Sequence, residues 1–97
     1  MTSLEKIIDL IQSQKTVLSQ QFHVKKIAIF GSYARGKQNK NSDLDILVEF
    51  KEPVGFFKFL DLEEYLKKLL HTKIDLVTKK ALKPRISRRV LKEMLPL

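Results

Sequence analysis

Ile27-Ala28-Ile29-Phe30-Gly31-Ser32-Tyr33-Ala34-Arg35-Gly36, followed after six further residues by Asp43-Leu44-Asp45-Ile46-Leu47-Val48, is the stretch on which the reading of this chain turns. Val24 to Phe30 is short, β-branched and ends at Gly31, which predicts a strand running into a turn. Gly36 to Ser42 is polar and predicts a loop. Leu44 to Phe50 predicts a second strand, closed by Lys51-Glu52-Pro53. Alternate residues on a strand share a face. Asp43 and Asp45 therefore project together, while Leu44, Ile46, Val48 and Phe50 turn toward a core. Two adjacent carboxylates repel one another unless a cation lies between them, and oxygen-only donors suit a hard ion such as magnesium or manganese. Gly31 lets a ligand approach the backbone without a Cβ in the way. Ser32 starts a turn whose free N–H groups and hydroxyl can hold phosphate oxygens, and Arg35, one turn later, can add a charge-assisted contact.

Outward from this stretch, strands and helices mix. Thr2 and Glu5 have capping-box spacing, so a helix is expected to start there. Leu4, Ile7, Ile8, Ile11 and Leu18 carry its apolar stripe toward Gln21. A second helix is expected over Gly55 to His71, a third strand over Lys73 to Val77, and a last helix from Pro84 to about Met94. The order α-β-β-α-β-α implies a small α/β (α+β) sheet with helices packed on it. Residues 1–97 are read as a single domain; pattern alone leaves the strand order open.

The third strand contains Asp75 between Ile74 and Leu76. An acid in so apolar a run is costly to bury without a counter-charge. If this strand lies beside the second, Asp75 joins Asp43 and Asp45. Three converging carboxylates with two metal ions are what in-line phosphoryl or nucleotidyl transfer needs. A plainer arrangement stays open, in which Asp43 caps a turn and Asp75 pairs with a lysine such as Lys25. Glu49 shares the Asp45 face but lies farther along and reads as surface. Tyr33 suits packing or base contact equally, Phe56, Phe57 and Phe59 suit core or a partner, and Lys37 and Lys40 lie in the motif loop, where they can touch the triphosphate or stay solvated.

The chain has 97 residues, a net charge of +8, 43% hydrophobic and 31% charged residues, and no cysteine. That composition fits a soluble globular domain in a reducing, cytoplasmic setting and excludes thiolate metal sites. His23 and His71 are too scattered for a zinc site; His71 is expected at the carbonyl end of the second helix. No apolar run approaches a membrane span, and no secretory signal is visible. A domain this small has little room for a second substrate-binding lobe, so part of its pocket is expected from a partner or another copy of itself, a homo-oligomer. From Lys79 to Lys92 there are seven basic residues and no acidic one, which suits an anionic partner or a solvated helix face. Nucleic acid is one such partner, though aromatics for base stacking are not interleaved there.

Gly31-Ser32, ten residues, then Asp43-x-Asp45 resembles the signature of the DNA-polymerase-β-like nucleotidyltransferases. The fuller string GSYARGKQNKNSDLDILV is similar to the shortest members, the minimal nucleotidyltransferases or MNT domains of MntA type. The likeness spans nearly the whole chain, including the Lys73 to Val77 strand and the basic closing helix. It implies a mixed sheet with a Mg-ATP site: Gly31 and Ser32 on the phosphates, Asp43 and Asp45 on metal, and Asp75 completing the metal site and helping to deprotonate the acceptor. It also implies a HEPN-type ribonuclease toxin as partner, neutralised by transfer of AMP to a tyrosine. Two other readings remain: a non-catalytic module that binds a toxin or nucleic acid, and a small-molecule nucleotidyltransferase, which the chain's size disfavours.

Overall fold

The computed structural model describes residues 3–97. Its elements run α1 (Leu4–Ser13), α2 (Lys15–Phe22), β1 (Val24–Phe30), β2 (Leu44–Phe50), α3 (Phe56–Leu70), β3 (Ile74–Thr78), a single 3₁₀ turn (Lys79–Ala81), α4 (Pro84–Glu93) and β4 (Leu95–Pro96). The four strands form one mixed sheet in the order β3-β2-β1-β4. β1 is antiparallel to β2 and β4, whereas β2 and β3 are parallel. A parallel pair needs a crossover, and α3 supplies it.

Strand alternation sorts the sheet into two faces. Ile27 and Ile29 of β1, Leu44, Ile46 and Val48 of β2, and Ile74 and Leu76 of β3 enter one buried cluster. The helices close that cluster with Ile7 and Ile11 from α1, Leu18 from α2, and Leu62, Leu66 and Leu70 from α3. The three α3 leucines recur every four residues, so they form a single stripe against the sheet. Residues of opposite parity, among them Phe30, Asp45 and Asp75, lie on the other face of the sheet. The sheet thus keeps its apolar face under α1, α2 and α3 and carries Asp45 and Asp75 on the opposite face.

The leading helix differs from the expected one. It breaks at Gln14 into α1 and α2, with Gln14 at φ −108° and ψ 13°. Leu18 follows Ile11 by seven residues, so the apolar stripe runs through the break and does not reveal it. The break is held by a partner distant in sequence: the Tyr65 hydroxyl of α3 donates to Gln14 Oε1 at 2.7 Å. Ser3 caps α1 by accepting from the Lys6 N–H at 3.2 Å. The expected cap, Thr2, lies outside the described residues. α3 starts one residue after Gly55 and stops before His71, whose left-handed φ of 51° ends the helix while its N–H donates to the Lys67 carbonyl. The third strand is shifted one residue later than expected. β4 was not foreseen: two residues containing Pro96 carry no alternation, and proline is tolerated there because β4 is an edge. Among the described residues no helix is long and apolar enough to cross a membrane.

Candidate active site

β1 ends at Phe30, and the chain turns sharply at Gly31, which has φ +74°. The turn is helix-like at its start, with the Arg35 N–H donating to the Gly31 carbonyl at 3.1 Å. The Gly36 and Lys37 N–H groups then close on the Tyr33 and Ser32 carbonyls at 3.3 and 2.9 Å. None of these bonds uses the N–H groups of Ser32, Tyr33 and Ala34, which remain as donors at the head of the turn. Tyr33 turns inward and is a fully buried member of the core, so it anchors the turn from below. Of its two expected uses, packing is the one found.

Gly31 and Asp45 are fitted to one another. Phe30 and Asp45 are cross-strand partners, which brings the residue after Phe30 over the Asp45 side chain. A Cβ built on Gly31 would overlap the Asp45 carboxylate and lie 2.9 Å from its Cγ. The glycine therefore answers two demands at once, a positive φ and a vacant space for a carboxylate. Any larger residue would have to displace Asp45.

Asp45 in turn stands directly opposite Asp75 in the parallel β2–β3 register. The start of that register is fixed by the Leu44 N–H, which donates to the Lys73 carbonyl at 2.8 Å. The Asp45 carboxyl is pushed up from 3.8 to about 6. Partial burial is the largest cause, followed by the negative charges of Asp75 and Asp43 and a side-chain hydrogen bond with Asp75; Arg35 opposes the rise. Such a shift marks a carboxylate that lacks a counter-charge. Asp43 precedes β2, is exposed, and acts on Asp45 by charge. Among the described residues no three acidic or imidazole side chains are gathered closely enough to hold an ion as they stand. Asp45 and Asp75 form the joined pair, and Asp43 would have to swing toward them. The donor set, oxygen only and electrostatically unbalanced, has the chemistry a hard divalent cation fits.

Arg35 is differently placed from a free phosphate ligand. Its Nη1 donates to Glu93 Oε2 of α4 at 3.1 Å, and Arg89 Nε donates to Glu93 Oε1 at 3.3 Å. The Arg35 hydrogen bond, with help from Arg89, holds the Glu93 carboxyl below its usual range. Glu93 is the site-bordering residue that sequence reasoning missed. Its spacing from Arg89 is legible as a helical i, i+4 pair, but its bond to Arg35 spans 58 residues and leaves no local signal. The alternative pairing of Asp75 with Lys25 is not found: Lys25 faces Glu49 at 3.9 Å, and Glu49 stands apart from the acidic pair. His71, at the end of α3, is exposed.

The chain is similar to known proteins along nearly its whole length. A family model described as a nucleotidyltransferase domain matches residues 11–97. The chain is 45% identical over 94 residues to the protein adenylyltransferase MntA of Thermococcus cleftensis, covering 97% of this chain and 95% of that one. It is also 45% identical over 96 residues, 98% of each chain, to a Methanocaldococcus jannaschii protein provisionally named a protein adenylyltransferase. A solved structure provisionally assigned as a minimal nucleotidyltransferase superposes with a TM-score of 0.86 at 31% identity, covering 99% of this chain and 97% of that one. A solved toxin–antitoxin complex with AMP-PNP superposes at 0.68 and 26% identity, over 95% of this chain and 69% of that one. Matched by the family model over residues 11–97 and by these relatives along nearly its whole length, this chain belongs to the nucleotidyltransferase domain family and is a nucleotidyltransferase of its minimal kind.

Proposed function

We propose that the whole chain, residues 1–97, acts as one magnesium-dependent adenylyltransferase domain that moves AMP from ATP to a tyrosine hydroxyl of a partner protein, and so serves as the antitoxin of a HEPN-type toxin. The observation that carries this reading is the fit of Gly31 over Asp45 with Asp75 alongside. It supports a triphosphate turn and a metal-dependent acidic centre standing next to each other. The relatives named as protein adenylyltransferases and the fold shared with a toxin–antitoxin complex support the choice of acceptor and partner.

In this reading the Ser32 hydroxyl and the free N–H groups at the head of the turn hold the phosphate oxygens of ATP. Gly31 keeps the backbone low enough for that approach. Asp43, Asp45 and Asp75 would hold the magnesium. When bound, the cation would lower the proton affinity of the acceptor hydroxyl and offset the charge on the departing pyrophosphate. Asp75, the more exposed of the joined pair, faces the acceptor and takes up its proton. The tyrosine oxygen forms a bond to the α-phosphorus, the bond from that phosphorus to the bridging oxygen breaks, and pyrophosphate leaves. Arg35 borders the turn with the guanidinium nitrogens that Glu93 does not occupy.

The test is to incubate the chain with Mg-ATP and the product of the neighbouring open reading frame and to measure intact masses. A gain of one or more AMP units on the partner is expected. A partner neutralised by binding, with no mass change, would point instead to a non-catalytic module.

A further inference from the structure

The most concentrated charge on the molecule lies outside the acidic centre, on α4. Arg85, Arg88, Arg89 and Lys92 recur at intervals of three and four residues, so they share one side of the helix. Val90, 5% exposed, marks the side turned inward. Ile86 and Leu91 flank the cationic side, one on each edge, and are 48% and 41% exposed. Among the described residues, Arg89 is the one of these four cations that makes an ion pair, and its partner is Glu93. Among the described residues the other three have no ion-pair partner, and Lys79, Lys80 and Lys83 extend the field before the helix begins. Ile86 and Leu91 add apolar surface beside that charge.

We infer that this side of α4 is the docking surface for the protein acceptor, and that it takes an acidic protein surface with apolar residues at its margins. The inference rests on the proposed transfer to a protein. Charge complementarity selects an acidic partner. Ile86 and Leu91 select a protein over a nucleic acid, because backbone phosphates offer nothing for them to bury and α4 has no aromatic side chain on which bases could stack. The location suits the purpose. Through Glu93, which joins Arg89 to Arg35, α4 is tied to the glycine–serine turn, so an acceptor seated on α4 would lie close to that turn.

The test uses the full chain and the product of the neighbouring open reading frame, with Arg89 left intact to preserve the Glu93 bridge. R85E/R88E/K92E should raise the KM for that acceptor by about tenfold or more and flatten its dependence on salt. I86S/L91S should raise the same KM without changing the salt dependence. ATP affinity, measured by calorimetry without acceptor, should be unchanged in both, and thermal melts confirm folding. An unchanged acceptor KM in both variants overturns the inference. So does a loss confined to binding of a short RNA duplex used as probe. If the parent binds the acceptor without modifying it, the transfer reading fails, and the docking surface is then judged by binding alone: weakened binding in the variants upholds it. A parent that does not bind the acceptor overturns the docking surface.

Discussion

Gly31 leaves open the space that the Asp45 carboxylate fills: a Cβ on the glycine would lie 2.9 Å from Asp45 Cγ. Gly31→Ala should therefore act in two ways. It places a side chain at φ +74°, which costs about 1–2 kcal/mol by itself, and it forces Asp45 out of position. Gly36 supplies the control, since it has φ +70° and nothing within 4 Å of a built Cβ. Gly36→Ala should show the backbone cost alone and retain stabilisation by Mg-ATP in thermal melts. Gly31→Ala should be less stable still and lose that stabilisation. Equal behaviour of the two variants would mean that the fit between Gly31 and Asp45 has no consequence.

How much of this was legible in the sequence follows from the range of each interaction. Val24–Phe30 and Leu44–Phe50 form the expected strands, because alternation and a terminal glycine or proline are local signals. The pairing of Asp45 with Asp75 is conditional on two strands being neighbours, and the loop and crossover helix over residues 51–73 decide that; no periodicity encodes it. The bend at Gln14 escaped for the same reason, since the tyrosine that fixes it belongs to α3. Arg35 reads as a phosphate ligand in the sequence, and only the fold sets Glu93 across from it. In each case the missing part is a contact between distant segments, set by how the sheet is ordered.

A second prediction concerns pH. The Asp45 carboxyl is raised to about 6 in the folded chain from 3.8, so its ionised form is the one the fold disfavours. Below pH 4 the group is protonated whether the chain is folded or not, and stability is unaffected. As pH rises through 6, the folded chain alone resists ionisation and stability falls. The full shift corresponds to about 3 kcal/mol at 1.36 kcal/mol per unit, and solvent access to a half-exposed carboxylate reduces this to about 1–2 kcal/mol. Asp45→Asn should thus be more stable than the parent at pH 7.5 by roughly that amount, with the gap closing near pH 4. Urea unfolding at the two pH values, without divalent cations, measures it. A gap that persists at pH 4 would have some other origin than this charge.

Arg35 and Glu93 give a third. Glu93 holds one guanidinium nitrogen and leaves the others free, so it should orient Arg35 at the rim of the phosphate turn. Arg35→Ala and Glu93→Ala should each weaken ATP binding by roughly threefold to tenfold, and the double variant should lose no more than Arg35→Ala alone. AMP, with no β- or γ-phosphate, should bind each variant as it binds the parent. Calorimetry with both nucleotides decides the matter. Additive losses would separate Glu93 from Arg35, and tighter ATP binding in Glu93→Ala would make Glu93 a competitor for the guanidinium.

The last prediction separates binding from transfer at Asp75. This residue faces Asp45 across the parallel register and is exposed, whereas Asp45 lies half-buried beneath Gly31. The two carboxylates thus differ in what they can reach: Asp45 is confined to the site, and Asp75 can meet a group arriving from outside. If Asp75 takes the proton of the acceptor hydroxyl, Asp75→Asn should lower kcat for transfer of AMP to the partner by about 10²- to 10⁴-fold, the usual contribution of a positioned base. It should leave the affinity for ATP, measured without divalent cations, within a few-fold of the parent, because the glycine–serine turn and Arg35 are intact and Asp75 would meet the nucleotide only through the metal. Asp75→Glu, which keeps a proton acceptor on a longer arm, should recover part of the rate. Single-turnover transfer followed by intact mass, with nucleotide binding measured separately, distinguishes the two effects. Loss of ATP binding in Asp75→Asn equal to the loss of transfer would confine Asp75 to holding the nucleotide and its metal, and the base would have to be sought on the acceptor itself.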